Sequence, residues 1–385
     1  MRVITDTAAL SECCNRLAKA EFVTVDTEFI RDKTYWPRLC LIQIAGPEDD
    51  LIIDPLADGI DLAPFYWLMA RESVTKVFHA ARQDVEIFFH EGQTIPTPLF
   101  DTQVAAMVCG FGDSIGYDNL ARKILNVRID KSSRFSDWAR RPLTEQQLNY
   151  AIQDVTHLRH VYEWLHTKLG ENGRSHWLQE EMAILTAPST YEMHPENAWL
   201  RIKARGANRR FLGVLKHVAA WREQAAQDRD IPRNRVLRDE ALVEIAGHPP
   251  KSIKELGSLR NVPKGVAEGR LGQALLAAIL EGVALDEAEL PALPKKPAVT
   301  TNNGSLVELM KVLLKRQCEE AGVAPRLVAN ATDLELIAAD DNAPVPALSG
   351  WRYELFGQVA LNLKHGKLAL AANGRKVRLI ELDTE

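Results

Sequence analysis

Two acidic residues stand close together in an apolar stretch near the start of the chain. Residues 22–29 read FVTVDTEF, and this density of β-branched and aromatic residues predicts a buried strand at the centre of a sheet. Alternate residues of a strand point to the same face, so Asp26 and Glu28 should project side by side. Carboxylates so placed raise each other's pKa, and a bound hard cation would relieve this. The ordinary alternative is that one caps the strand end and the other is solvated.

Three more residues of this kind follow along the chain. Asp84 falls where a predicted strand over 74–78 turns into a helix over about 83–90. Tyr150 and Asp154 are four residues apart in a predicted helix, and therefore share one face. Each has an ordinary explanation, since a carboxylate is favoured in a first helical turn and a tyrosine often packs on the core. Their order after Asp-x-Glu is what favours a shared acidic pocket.

Apolar runs predict the scaffold that must position these residues. Strands are expected at 22–29, 39–45 and 51–53, then a helix at 61–71, a strand at 74–78 and a helix at about 83–90. A further short strand is predicted at 99–101. The pattern from 102 to 169 is helical, with breaks near 110–112 and 132–133. This order is typical of an α/β layer with a mixed sheet flanked by helices.

The acidic pattern resembles the DEDD superfamily of 3′–5′ exonucleases, whose fold is ribonuclease H-like. A tyrosine four residues before the last aspartate, with Asn149 rather than histidine five before it, matches the DEDDy subgroup. Within that subgroup the segments VDTEF (25–29), RLCLIQI (38–44), HAARQD (79–84) and WARRPL (138–143) resemble the ribonuclease D family. These segments span most of residues 1–170.

The resemblance implies metal-assisted hydrolysis of phosphodiester bonds. The four carboxylates of Asp26, Glu28, Asp84 and Asp154 would hold two divalent cations about 3.5–4 Å apart, Mg²⁺ or Mn²⁺. Asp26 would touch both ions, Glu28 and Asp154 the ion that activates water, and Asp84 the second ion, largely through water. Tyr150 would orient the attacking water.

Two further units are expected after the exonuclease domain, which we place at residues 1–195. Residues 207–285 resemble the HRDC domain, a helical nucleic-acid-binding module, and 286–299 form a proline-rich linker. Residues 300–385 resemble a second, divergent HRDC-type domain, so both C-terminal domains are expected to be all-α. The chain contains no G-x-x-x-x-G-K-[ST] motif, which argues against ATP use.

Several cationic and aromatic residues are candidates for RNA binding. Trp138, Arg140 and Arg141 precede the Tyr150 helix, where they could stack a base and hold a phosphate; a packing role for the tryptophan is an equal alternative. A basic run without an acid between Glu196 and Glu223 suits a phosphate backbone, or is a solvated linker face. Its members are Arg201, Lys203, Arg205, Arg209 and Arg210.

Three other residues are weaker candidates for the site. His157 and His160 are three apart on the Asp154 helix and are expected to be ordinary surface histidines rather than ligands. Asp101 is either a supporting group of the pocket or a strand-end cap.

The composition of the chain is that of a soluble multidomain protein. It has 385 residues, a formal net charge of −5 and 26% charged residues. We expect it to lie in the cytoplasm, because its start lacks the apolar core of a signal peptide and no apolar run approaches the length of a membrane span. The five cysteines form no C-x-x-C pair and fit a reducing compartment.

The expected activity is release of 5′-mononucleotides from the 3′ end of single-stranded or structured RNA, such as a tRNA precursor, by a monomer. Two rivals remain from the residues alone. One is a DNA-directed 3′–5′ exonuclease with the same chemistry. The other is a non-catalytic RNA-binding adaptor, against which the intact set of acids and Tyr150 argues.

Overall fold

The computed structural model describes residues 2–204, 208–292 and 303–382, and the chain divides into two compact units. The first unit consists of Met1–Glu28, Cys40–Thr190 and Lys296–Glu385. The second consists of Phe29–Leu39 and Tyr191–Lys295.

A six-stranded mixed sheet forms the centre of the first unit. Its strands are β1 Arg2–Ile4, β2 Phe22–Ile30, β3 Arg38–Ala45, β4 Asp50–Ile53, β5 Thr75–Phe78 and β6 Leu99–Asp101. Their order across the sheet is β1-β4-β3-β2-β5-β6. Strand β4 runs antiparallel to β3 and parallel to β1, and β5 runs parallel to both β2 and β6. The mixed sheet that the sequence predicts is therefore confirmed.

The strand that carries the first acidic pair is an interior strand, as predicted. β2 lies between β3 and β5, and its residues Val23 and Val25 are fully buried. The N-terminal strand β1 was not predicted, and neither was the helix that follows it, α1 (Thr7–Leu17). A strand of three residues is too short to show the alternation on which such a prediction depends.

Helices α2 to α7 complete the exonuclease part of the first unit. They span α2 Ala63–Met69, α3 Arg82–Gly92, α4 Thr102–Val108, α5 Tyr117–Leu125, α6 Glu145–Glu171 and α7 Ser175–Leu185, followed by a 3₁₀ turn Pro188–Thr190. A capping box begins α6: Thr144 Oγ1 accepts from the Gln147 amide (3.2 Å), and Gln147 Oε1 accepts from the Thr144 amide (3.0 Å). This start places Tyr150 and Asp154 in the second and third turns.

The second unit is a helical bundle. Its elements are a 3₁₀ helix Pro195–Arg201, α8 Arg209–Asp228, α9 Arg233–Val236, α10 Asp239–Gly247, α11 Ile253–Ser258, α12 Lys264–Ala267 and α13 Arg270–Ala284. Leu215, Leu242 and Leu275, from α8, α10 and α13, are fully buried in its core. The segment Phe29–Leu39 belongs to this unit through Tyr35, whose hydroxyl donates to Glu223 Oε1 at 2.5 Å.

The C-terminal part of the first unit is helical up to its last two strands. Its elements are α14 Gly304–Ala321, α15 Pro325–Val328, α16 Ala331–Ala339, a 3₁₀ turn Pro346–Leu348, α17 Gly350–Arg352, a π-helical turn Tyr353–Gly357, α18 Gln358–Lys364, β7 Leu368–Asn373 and β8 Lys376–Glu381.

The expectation that this last part is all-α is wrong for its final residues. β7 and β8 pair antiparallel from Leu368↔Glu381 to Asn373↔Lys376. The two-residue loop between them begins with Gly374 at φ 61°, a conformation that glycine adopts readily in a tight hairpin. Alternating residues such as Lys376-Val377-Arg378-Leu379 carry the strand signal that outweighs the helical layout.

The C-terminal part packs against helix α7. The rings of Trp177 and Trp351 stack at 4.2 Å between centroids with a 9° interplanar angle. Arg352 forms ion pairs with Glu180 (2.7 Å) and Glu181, and its Nε donates to the Leu327 carbonyl (2.7 Å). This stack, in which Trp351 is buried, and the paired charges beside it make this part integral to the first unit.

No helix within the described ranges is long and apolar enough to cross a membrane. All five cysteines lie in those ranges and none forms a disulfide.

Candidate active site

Three carboxylates from two elements of the first unit lie close together, and two of them, Asp26 and Asp154, line one cleft. Oxygen atoms of Asp26 and Glu28, on β2, and of Asp154, on α6, lie within 4.8 Å of one another. Alternation along β2 brings the first two to one face, and the Tyr150 helix carries the third across from them. Folding therefore brings together three of the four carboxylates that the sequence predicts for one pocket.

Asp84 lies beside these three rather than among them. It is buried on the first turn of α3, and Thr27, between the two acids of β2, donates to its Oδ1 at 2.5 Å. The negative charge of Asp26 raises the pKa of Asp84, second to the effect of burial. Asp84 therefore belongs to the same electrostatic cluster, although it stands outside the closest set.

Asp101 fixes the turn that presents Asp84. This buried residue ends β6, and its carboxylate accepts from the amides of Ala80 (2.9 Å), Ala81 (2.9 Å) and Gln103 (2.8 Å). Ala80 has φ 63°, which is rare for alanine and is held here by that hydrogen bond. Asp101 therefore acts both as the cap of α4 and as the support of the β5–α3 turn, so the two roles weighed from sequence coexist.

Helix α6 places Tyr150 against Asp154. The Tyr150 hydroxyl lies beside the Asp154 carboxylate, as the four-residue spacing allows, and it lowers the pKa of that carboxyl. Burial and the charges of Asp154, Glu28 and Asp26 raise the pKa of Tyr150 well above its ordinary value. The phenol therefore keeps its proton at neutral pH and can serve as a donor.

Burial and mutual repulsion raise the pKa values of the whole cluster. The pKa of Glu28 rises to about 10, through burial and then through Asp26, Asp154 and Asp84. The pKa of Asp154 rises to about 7 through burial, although the Tyr150 hydroxyl and Arg134 lower it. Burial and Asp154 likewise raise the pKa of Asp26. At 4.8 Å, two carboxylates repel by roughly 3 kcal/mol at an effective dielectric constant of about 20.

This donor set fits divalent metal ions. It offers only carboxylate oxygens, which Mg²⁺ and Mn²⁺ prefer. Burial and neighbouring negative charge raise the pKa values of these acids, and a bound cation would favour their charged form. His157 and His160 lie outside the cluster, and His160 instead contacts Glu163 at 3.3 Å.

The cleft around the carboxylates has a volume of ≈ 300 Å³ and a cationic side. Lys131 and Arg134, from the loop between α5 and α6, line it together with Asp26 and Asp154. Arg134 lowers the pKa of both Glu28 and Asp154, so its charge acts directly on the site. Sequence reasoning missed Lys131 and Arg134, although their signal, basic residues just before Trp138, was present.

Two of the three candidates in the 138–141 segment are used within the fold. Trp138 is only 2% exposed, and its ring centroid lies 6.0 Å from that of Tyr150, so it packs behind the site instead of stacking a base. Arg141 pairs with both oxygens of Asp54 at 2.7 Å and donates to the Cys40 carbonyl. Arg140 is exposed.

The basic run is likewise partly engaged. Arg209 donates to the carbonyls of Glu287 (2.7 Å) and Leu290 (2.8 Å), and Arg210 pairs with the Glu287 carboxylate at 2.9 Å. These two arginines tie the start of α8 to the segment after α13. Arg201 lies 3.8 Å from Glu223 and is exposed. Lys203 is exposed, and Arg205 lies outside the described residues.

Comparison with known proteins agrees with this geometry. A family model described as 3′–5′ exonuclease matches residues 1–170, and an HRDC domain model matches residues 211–279. A second HRDC-type domain in the C-terminal part stays a prediction.

Full-length relatives carry one name. Ribonuclease D of Nitrobacter hamburgensis is 53% identical over 380 residues, which cover 98% of this chain and 99% of the relative. Ribonuclease D of Jannaschia sp. is 48% identical, and the match again covers 98% of this chain and 99% of the relative. The crystal structure of Escherichia coli RNase D, described as an exoribonuclease involved in structured RNA processing, superposes with a TM-score of 0.84. The two chains are 30% identical, and the superposition covers 95% of this chain and 98% of the E. coli chain.

Sequence, fold and acidic cleft thus agree, and the chain belongs to the ribonuclease D family of 3′–5′ exoribonucleases.

Proposed function

We propose that this protein hydrolyses RNA from its 3′ end and releases 5′-mononucleotides with the help of two divalent cations. The observation that carries the proposal is the approach of Asp26, Glu28 and Asp154 to within 4.8 Å of one another. Full-length similarity to ribonuclease D favours RNA over DNA as the substrate.

The carboxylates of Asp26, Glu28, Asp84 and Asp154 would hold Mg²⁺ or Mn²⁺. Such ions supply Lewis acidity that activates water and stabilises the leaving 3′ oxygen. Asp26, Glu28 and Asp154 would be the main ligands, because they lie closest together, and Asp84, whose carboxylate accepts from Thr27, would be a further one. Asp101 keeps Asp84 in place through the β5–α3 turn.

Tyr150 positions the attacking water and does not deprotonate it. Its pKa is raised, so the hydroxyl remains a donor at neutral pH. The position of Tyr150 one helical turn before Asp154 places that hydroxyl beside the carboxylates. A water molecule beside this hydroxyl would be aligned for in-line attack on the phosphorus.

The second unit would grip the body of a structured RNA such as a tRNA precursor. Arg31, Arg233 and Arg238 line a cleft of ≈ 690 Å³ in this unit. Arg238 and Lys203 are exposed, unlike the arginines that Glu287 engages. Cations of this kind bind phosphates with a strong dependence on salt. We further propose that the protein acts as a monomer in the cytoplasm, where its five thiols, none of which forms a disulfide, would stay reduced.

Digestion of end-labelled RNA tests the proposal. With 5′-labelled RNA we expect a ladder that shortens with time, and with 3′-labelled RNA immediate release of labelled mononucleotide. EDTA should abolish the degradation of both labelled RNAs, and matched DNA should be degraded more slowly. Asp154→Ala should remove activity even at saturating Mg²⁺. Endonucleolytic fragments, or full activity of Asp154→Ala, would contradict the assignment.

The gripping role has its own test. Replacing Lys203 and Arg238 by glutamine should reduce the slope of log affinity against log salt by about 0.7 for each phosphate that the variant no longer neutralises. Deletion of residues 207–385 is a poorer test, because it also removes the part that packs on α7. An unchanged slope would refute the contribution of these two cations.

A further inference from the structure

Phe135 is the most exposed large apolar side chain of the described residues. Its relative exposure is 91%, against 65% for the next, Leu200. An aromatic ring left in water forgoes the stabilisation that burial would give it. Nothing in the fold or in the carboxylate chemistry accounts for a phenylalanine at this position.

The backbone around Phe135 is held firmly. Ser133 and Trp138, on either side of it, are 4% and 2% exposed and anchor the loop between α5 and α6. Turns close the backbone between them, with the Arg134 amide donating to the Lys131 carbonyl (3.1 Å) and the Ser136 amide to the Ser133 carbonyl (3.0 Å). The ring is therefore presented from an anchored segment.

The ring lies next to the cationic side of the acidic cleft. The guanidinium carbon of Arg134 is 5.3 Å from the Phe135 ring centroid. Arg134 itself lines the cleft with Asp26 and Asp154 and lowers the pKa of Glu28. An exposed aromatic face and a cation therefore lie together at the edge of the carboxylate cluster.

We infer that Phe135 and Arg134 form a nucleotide-binding site that holds the RNA strand beside the carboxylates. A base stacks on the Phe135 ring, and Arg134 pairs with a neighbouring phosphate. Stacking accepts any base, because every base has a π-face, so it suits an enzyme that degrades RNA without regard to sequence. The inference rests on the proposed function and assigns to it a contact with the 3′-terminal nucleotides.

Fluorescence of a modified RNA tests the stack directly. Single-stranded RNA would carry 2-aminopurine at one of its last three positions, in EDTA so that it stays intact. Binding to the wild-type protein should quench the probe at one or more of these positions. Phe135→Ala should lose that quenching and bind about five-fold to about a hundred-fold more weakly, the range measured for base–aromatic stacking. Phe135→Trp should keep both.

Matched controls separate stacking from other roles. Ile184→Ala removes another exposed apolar side chain of the same unit, from α7, and should leave quenching and affinity unchanged. An RNA with an abasic residue at the quenched position should bind wild type and Phe135→Ala equally. Circular dichroism checks that the variants fold.

Two outcomes would overturn the inference. One is a Phe135→Ala protein with wild-type affinity and quenching, which would leave the ring for another purpose, such as contact with a protein. The other is a loss of affinity that persists with the abasic RNA. The proposed function fails separately, if the wild-type protein releases no mononucleotides from RNA.

Discussion

Replacing Glu28 by glutamine should make the metal-free protein more stable while it weakens the stabilisation by metal. In the folded protein the pKa of Glu28 is about 10, against an ordinary value of 4.5. Between these values the folded state retains a proton that the unfolded state has lost, so stability falls as pH rises, by about 1.4 kcal/mol per pH unit. At pH 7 the penalty is about 3 kcal/mol, since 2.5 units separate pH 7 from the ordinary pKa. A glutamine has no such penalty.

Thermal unfolding in EDTA at pH 6, 7 and 8 measures this effect. For a unit of this size, a gain of about 3 kcal/mol in unfolding free energy raises Tm by roughly 6–12 °C. The difference in Tm between Glu28→Gln and the wild type should increase with pH. Added Mg²⁺ should raise the Tm of the wild type. At a Mg²⁺ concentration of ten times the Kd, binding adds about 1.4 kcal/mol to the free energy of unfolding. The Tm of the variant should rise much less.

The matched control is Glu48→Gln, an exposed carboxylate in the turn between β3 and β4. It should show wild-type behaviour in both series. If Glu28→Gln melts at or below the wild-type temperature in EDTA with the same pH slope, the carboxylates do not repel as argued. If Mg²⁺ stabilises that variant fully, Glu28 is not a ligand.

Three further substitutions test the supports of the site. Tyr150→Phe removes the hydroxyl that lies beside Asp154 and should lower kcat by about ten-fold to about 10²-fold with little change in KM; unchanged kcat would exclude a positioning role. Asp101→Asn leaves one acceptor oxygen for three amides, so we expect a loss of about 2–3 kcal/mol in unfolding free energy. We also expect kcat to fall. A loss of stability with unchanged kcat would mean that Asp101 acts only as a helix cap. Trp351→Ala should destabilise the exonuclease unit by about 3–5 kcal/mol, seen as faster heat inactivation; unaltered heat resistance would mean that the stack on Trp177 is dispensable.

The sequence predicted the acidic groups because they lie on elements with strong local patterns. β2 is dense in β-branched and aromatic residues, and α6 is a 27-residue helix with a capping box, so the faces of Asp26, Glu28 and Asp154 follow from spacing. The groups that hold them come from distant positions. Thr27 and Asp84 are 57 residues apart, and Arg141 and Asp54 are 87 apart. No local pattern contains such pairs.

Charge in the sequence was a weaker guide than apolar pattern. Arg209 and Arg210 look available for RNA because no acid stands near them in the chain, yet Glu287 and nearby carbonyls engage both. Phe135 is the opposite case, a residue that the sequence does not indicate as available but whose ring is exposed. Its exposure depends on the positions of the buried residues Ser133 and Trp138, which anchor the loop. Availability for a ligand depends on tertiary partners.

The acids of the first unit likewise differ in whether they have tertiary partners that compensate their charge. Asp54 receives two short hydrogen bonds from Arg141, and Asp101 receives three from backbone amides, so each has its charge compensated by the protein itself. For Asp26 and Glu28 the main influences are burial and neighbouring negative charge, and both raise the pKa. Arg134 lowers the pKa of Glu28 and Asp154, yet both remain above their ordinary values. The acids therefore lie together at a cost in stability that either protonation or a positively charged ligand offsets. This imbalance supports the proposed metal binding over a purely structural role for these acids.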